Sequence, residues 1–154
     1  MTDLAAQVIA ALQGKTLATA ESCTGGGIGA VLTSVPGSSA VYKGGIVSYT
    51  NEIKQKLLGV PSDLLTNQGA VSCEVAQAMA KGARSEFDSD IAVSVTGLAG
   101  PGGDDYGNPV GTVFIGYCDE NTCLSREFHF DGDRNAVRKQ SISAALTLIL
   151  EHNR

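Results

Sequence analysis

With 154 residues, 43% of them hydrophobic and 18% charged, the chain is sized for one folded domain with a single core and is too short for two ordinary ones. Eleven basic against sixteen acidic residues leave a formal charge of -5, and no run of Lys or Arg is present to track a phosphate backbone. Duplex DNA or RNA is therefore a poor partner, although one local cluster can still hold a small anion. The four cysteines, Cys23, Cys73, Cys118 and Cys123, lack C-x-x-C spacing in a chain too large to need a disulfide framework, so they read as reduced thiols. The first fourteen residues lack the basic start and compact apolar stretch of a signal peptide, and nowhere do about eighteen apolar residues run together. No membrane is implied, and the cytoplasm is the expected compartment.

In chain order, Leu4, Val8, Ile9 and Leu12 recur at helical spacing and stop at Gly14, which predicts an opening amphipathic helix. Leu17 to Ala20 reads as a short buried strand. The polar, glycine-rich turn Glu21 to Gly27 leads into an apolar helix from Ile28 to Val35, closed by Pro36-Gly37. Ala40 to Tyr49 is β-branched and aromatic around Gly44-Gly45, a strand with a bulge. Asn51 is the expected cap of a short helix from Glu52 to Leu58, and Pro61 to Asn67 is a further helical turn. Ser72 opens a long helix running to about Phe87.

Three apolar runs follow: Ile91 to Val95, Gly111 to Cys118 and Cys123 to Phe130. Only Asp119 to Thr122 separates the last two, so they pair as an antiparallel hairpin. After a turn and cap at Asp131 to Asp133, Ala136 to Leu150 forms a closing helix with Val137, Ile142, Ala145, Leu146 and Ile149 inward. The expectation is one α/β domain over residues 1–154, a three-layer α/β/α sandwich around a mixed, largely parallel sheet.

The chain has two histidines, His129 inside a strand and His152 in the tail, so the usual catalytic base is scarce. Neither has a ligand partner four residues away and the cysteines are scattered, so no protein-bound metal is expected. Ser22 stands where a buried strand meets a glycine loop and a helix, the place where open α/β sheets gather ligands. There the amides of Thr24, Gly25 and Gly26 are suited to hold a phosphate or an oxyanion. The plainer reading has Ser22 or Thr24 capping the helix while the glycines permit the turn, and pattern alone does not separate the two. A serine nucleophile needs a base, and lysine is the substitute if burial lowers it from about 10.4 toward about 7 to 8. Lys54 follows the strand end Ser48-Tyr49 on the first turn of the next helix, on the side of the sheet where Ser22 lies if both strands run parallel. Its plain alternative is a solvated lysine like Lys56.

Six spaced strings closely resemble the CinA C-terminal domain family. They are Ala20-Glu-Ser-Cys-Thr-Gly-Gly26, Tyr49-Thr-Asn-Glu-Ile-Lys54 with Leu57-Leu-Gly-Val60, Gly69-Ala-Val-Ser72, Thr96 to Gly103, Pro109-Val-Gly-Thr112 and Gly132-Asp-Arg134. The resemblance runs from about Leu4 to the end. It implies a cofactor-free nicotinamide-nucleotide amidohydrolase that converts nicotinamide mononucleotide to nicotinate mononucleotide and ammonia, with Ser22 as nucleophile and Lys54 as base. Many relatives carry a further N-terminal domain that this chain is expected to lack.

Beside that pair, Tyr49 is placed as a proton relay or orienting hydroxyl, with a core role as the alternative. Arg134, helped by Arg138, is placed as a phosphate clamp, with a surface ion pair to Asp131 or Asp133 as the alternative. Glu21, Thr24, Gly25, Gly26, Asn51, Thr96 and Gly97 complete the expected binding residues. Cys23 invites a thiol reading, but its side chain should point away from that of Ser22. A pyridine nucleotide is the expected small-molecule partner and a homo-oligomer the expected assembly. The contrasting function is a non-catalytic nucleotide-binding or regulatory module linked to competence or DNA damage, which needs neither Ser22 nor Lys54.

Overall fold

The computed structural model describes Met1–Arg154. Helix α1 (Thr2–Ala11) buries Ala5, Val8 and Ile9, the stripe its periodicity implies. Strand β1 (Leu17–Glu21) follows, then α2 (Gly27–Thr33), a single 3-10 turn at Ser38–Ala40, and β2 (Tyr42–Val47). The expected strand start at Ala40 is thus taken up by the turn. Next come α3 (Asn51–Leu58), α4 (Ser62–Gln68) and α5 (Cys73–Phe87), then β3 (Ile91–Gly97), β4 (Thr112–Cys118), β5 (Cys123–His129) and α6 (Arg134–Glu151).

The caps explain several boundaries. Ser72 Oγ accepts from the Val75 amide at the head of α5, and Asp133 accepts from the Ala136 amide at the head of α6. At α3 the cap is Thr50, whose hydroxyl accepts from the Ile53 amide, so the expected Asn51 cap is corrected by one residue. Thr and Asn are both good cap formers and stand side by side, so composition alone does not choose between them.

The sheet order is β2-β1-β3-β4-β5. Strand β1 pairs parallel with β2 and β3, while β4 runs antiparallel to both β3 and β5. β4 alone therefore opposes the other strands, and the sheet is mixed but largely parallel. Helices α1, α2 and α6 cover one face and α3, α4 and α5 the other. The larger core lies on the α1/α2/α6 side, where Leu17, Ile115, Leu146 and Ile149 are fully enclosed. No helix is long and apolar enough to cross a membrane.

The register of β1 on β2 shifts between Leu17/Ala18, opposite Tyr42 and Gly44, which places the bulge at the start of β2. Gly45 is required there: a Cβ on it would lie 2.1 Å from Thr19 Oγ1. In the β4–β5 hairpin, Cys118 and Cys123 are direct cross-strand partners, and they are joined in a disulfide. The reduced-thiol expectation is corrected for this pair; Cys23 and Cys73 are free. The five-residue separation gave no warning, because it is the antiparallel register that brings the two sulfurs together.

Candidate active site

Side chains of β1 alternate in direction, and this decides what each residue at its end can do. Leu17 packs into the core beside α1, α2 and α6, whereas Ala18 and Ala20 pack into the core under α3 and α5. By the same alternation Glu21 turns toward α2, and the next residue, Ser22, turns toward α3. The backbone of Ser22 is held at both ends: its amide donates to Val95 O at 3.0 Å and its carbonyl accepts from the Gly25 amide at 3.0 Å. Gly25 and Gly26 then take φ of 58° and 99°, left-handed values that swing the chain into α2.

Lys54 projects from the first turn of α3 toward Ser22. Its Nζ lies 3.0 Å from Ser22 Oγ, 2.8 Å from Ser48 O and 3.2 Å from Tyr49 O. The side chain is 1% exposed and forms no ion pair. Burial without a neutralising carboxylate pushes the Lys54 ammonium down from 10.5 to about 8. The two backbone carbonyls aim Nζ, and the serine hydroxyl is the third partner. A solvated lysine, the plain alternative for this residue, is not what the structure contains.

A cavity of about 380 Å³ opens over this pair. Tyr49, Asn51, Thr96, Gly97 and Arg134 line it together with Ser22 and Lys54, so seven of the residues singled out by sequence meet at one place. It sits beyond the C-terminal ends of the parallel strands, where such folds bind ligands. Arg134 donates to Gly100 O at 2.7 Å and to Tyr49 Oη at 3.0 Å, leaving it on the cavity wall and free of Asp131 and Asp133. The Tyr49 side chain is 57% exposed and its hydroxyl faces Arg134; its contact with Lys54 is through the backbone carbonyl. The hydroxyl is thus turned to Arg134. Thr96 spends its hydroxyl on Ala70 O at 2.8 Å and shapes the wall.

Glu21, Thr24, Gly25, Gly26 and Arg138 do not line the cavity. Glu21 is 2% exposed; its carboxylate accepts from Thr24 Oγ1 at 2.6 Å and from the amides of Ile28 and Gly29 at 2.9 and 3.1 Å. The chain's own carboxylate thus occupies the Ile28 and Gly29 amides of the first turn of α2, and of the amides expected to receive an anion that of Gly25 is spent on Ser22 O. Arg138 reaches the carbonyls of Cys23 and Thr24 from α6. The Cys23 side chain lies in the large core, and burial pushes its thiol up to about 11, so it is no thiolate at neutral pH. His129 contacts Glu127 and Thr112 at the sheet edge. No cluster of three or more His, Cys, Asp or Glu side chains is placed to hold a metal.

Two features escaped sequence reasoning. The carbonyls of Ser48 and Tyr49 are backbone groups that no motif advertises. The second is a strap: Tyr106 Oη donates to Thr66 O at 2.7 Å and Asn108 Nδ2 to Val71 O at 3.1 Å. It ties the loop after β3 to Thr66 of α4 and to Val71, which lines the cavity. The signal available was a tyrosine and an asparagine in a glycine-rich loop, which says nothing of partners about 40 residues away.

The profile of the CinA C-terminal domain matches residues 1–152. A CinA-like protein of Geobacter metallireducens is 54% identical over 125 residues, covering 81% of this chain and 30% of the relative. A CinA-like protein of Parasynechococcus marenigrum is 49% identical over 148 residues, covering 93% of this chain and 35% of the relative. The chain thus spans about a third of the length of the curated relatives it matches. Among solved structures, the competence/damage inducible protein CihA from Agrobacterium tumefaciens superposes with a TM-score of 0.95 at 40% identity, over 99% of this chain and 95% of that one. A CinA superfamily protein from Klebsiella pneumoniae gives 0.94 at 34% identity, over 97% and 95%. On this fold, these matches and the ordered set of site motifs, the chain belongs to the CinA C-terminal domain family.

Proposed function

We propose that the chain is a serine–lysine amidohydrolase acting on the carboxamide of nicotinamide mononucleotide. The observation that carries the reading is Lys54 Nζ, buried without an acid, 3.0 Å from Ser22 Oγ on a cavity wall. A lysine in that state is a base near neutral pH, and a hydroxyl beside it is a nucleophile.

Neutral Lys54 takes the proton of Ser22 as Oγ attacks the carboxamide carbon, giving a tetrahedral intermediate with its charge on oxygen. The N–H of Cys23, without an acceptor in another residue and on the cavity lining, is the donor nearest in sequence to the attacking atom. The Lys54 ammonium then protonates the departing nitrogen. The C–N bond breaks, ammonia leaves and an acyl ester on Ser22 remains. A water molecule attacks that ester with Lys54 again as base, and the returned proton restores Ser22 as the carboxylate product departs. One amide and one water become one acid and one ammonia, with no cofactor in the balance.

Arg134 supplies a planar, charged fork on the same wall, suited to the 5′-phosphate of the substrate. Purified protein should release ammonia from nicotinamide mononucleotide without added metal and far more slowly from nicotinamide riboside. Ser22→Ala should abolish that release while keeping the circular dichroism of the fold; full activity in Ser22→Ala overturns the reading.

A further inference from the structure

Arg138 stands behind the nucleophile turn, outside the cavity. From α6 it donates through Nε to Cys23 O at 3.0 Å and through a terminal nitrogen to Thr24 O at 3.2 Å. No carboxylate pairs with it: the one arginine–carboxylate pair of the chain is Arg126 with Glu151. Its hydrogen bonds therefore go to two consecutive peptide groups of the turn that carries Ser22.

The other ends of those peptides are informative. The Cys23–Thr24 peptide has its carbonyl on Arg138, whereas its N–H, on Thr24, has no protein acceptor although Thr24 is 0% exposed. The Thr24–Gly25 peptide has its carbonyl on Arg138 and donates its N–H to Ser22 O at 3.0 Å, and the peptide that owns that carbonyl, Ser22–Cys23, carries an N–H, on Cys23, without an acceptor in another residue. Buried backbone donors without partners are rare and call for an explanation. Cys23 lines the cavity while its side chain lies in the core, so its backbone is what the cavity meets. The amide following a nucleophilic serine is a recurrent oxyanion donor on α/β folds. A charged donor on a peptide carbonyl draws electron density from that peptide and strengthens its N–H as a donor, and from the Thr24–Gly25 peptide the effect passes through the Gly25–Ser22 hydrogen bond to the Cys23 N–H. From the other side, Glu21 fixes the Thr24 hydroxyl at 2.6 Å, so the peptide is held from two directions.

We propose that Arg138 is a positioning residue for an oxyanion hole: from behind the turn it holds the Cys23 and Thr24 carbonyls and, through the Gly25–Ser22 hydrogen bond, polarises the peptide that carries the Cys23 N–H, so that this N–H meets the oxygen of the tetrahedral intermediate. This rests on the amidohydrolase reading and moves Arg138 from the expected phosphate clamp to the chemical step. A group that acts only on the intermediate changes kcat, whereas a phosphate ligand changes KM.

The test compares wild type, Arg138→Met and Arg138→Lys in two reactions: steady-state hydrolysis of nicotinamide mononucleotide, and labelling of Ser22 by an alkyl fluorophosphonate. The second reaction needs an activated serine and an oxyanion hole but no nicotinamide. In Arg138→Met, kcat and the labelling rate should both fall roughly 10- to 100-fold with KM within about threefold, an effect at or below the loss of one direct oxyanion donor. Arg138→Lys, which keeps a cation, should recover part of both. The pH limb of the residual activity should stay at its wild-type position, whereas a general collapse of the site would move it with Lys54. An unchanged kcat, a rise in KM alone, or a displaced limb overturns the proposal. If wild-type protein is labelled on Ser22 but releases no ammonia, the substrate reading falls, and the labelling rates of wild type and Arg138→Met still decide the role of Arg138.

Discussion

Titrating Lys54 should titrate the reaction. Burial sets its ammonium at about 8, so the neutral form is about one hundredth of the enzyme at pH 6, about one tenth at pH 7 and half at pH 8. If that form is the base, kcat/KM should climb about ninefold from pH 6 to 7 and about fivefold from pH 7 to 8, then less than about twofold to pH 9. The quotient kcat/KM is the right measure because it reports the free enzyme, the state in which Lys54 contacts only Ser22 and two carbonyls. Ammonia release at subsaturating nicotinamide mononucleotide, in buffers of constant ionic strength, gives the profile directly. Lys54→Arg keeps a cation that cannot serve as the base, so it should be inactive throughout. A flat profile from pH 6 to 9 refutes the assignment. A limb centred near 6.5 does the same, because histidine titrates there and neither His129 nor His152 lines the cavity.

The same burial has a stability consequence. Between about pH 8 and 10.5 the unfolded chain binds the Lys54 proton and the folded chain does not, so stability rises with pH across that window. The cost of the buried ammonium, about 3 kcal/mol from the displacement of 10.5 to about 8, is full below the window and absent above it. Urea melts of wild type and Lys54→Met should show the wild type gaining on the variant between pH 7 and 10; a constant difference contradicts this. If Arg134 holds the phosphate of the proposed substrate, Arg134→Met removes charge-assisted bonds worth about 1.5–3 kcal/mol, so KM for nicotinamide mononucleotide should rise about 10- to 100-fold with kcat nearly unchanged. A fall in kcat alone counts against a phosphate clamp. Glu21→Ala strands the Thr24 hydroxyl and the amides of Ile28 and Gly29, so chemical denaturation should show a loss of about 3 kcal/mol or more. A loss below about 1 kcal/mol means solvent replaces the carboxylate.

Periodicity and caps made the elements legible. The stripe of α1 and the caps Ser72 and Asp133 are local signals, and each helix they announce is present. The contact between Ser22 and Lys54 was also within reach, since two parallel strands end at the same side of a sheet and each is followed by a chain reversal. What could not be read was direction and distance. Glu21 and Ser22 are neighbours in one motif, yet strand alternation sends one carboxylate to the foot of α2 and the hydroxyl to α3. Arg138 lies 115 residues from Cys23, and only the packing of α6 brings it beneath the turn. The disulfide depends likewise on hairpin register rather than on spacing.

The strap through Tyr106 and Asn108 makes the two cavity walls a single mechanical unit, since the loop after β3 cannot swing without pulling on Ala70-Val71. The entropy of arranging those walls is therefore lost during folding and not at each encounter with a ligand. The loop is in that sense a brace set before any ligand arrives.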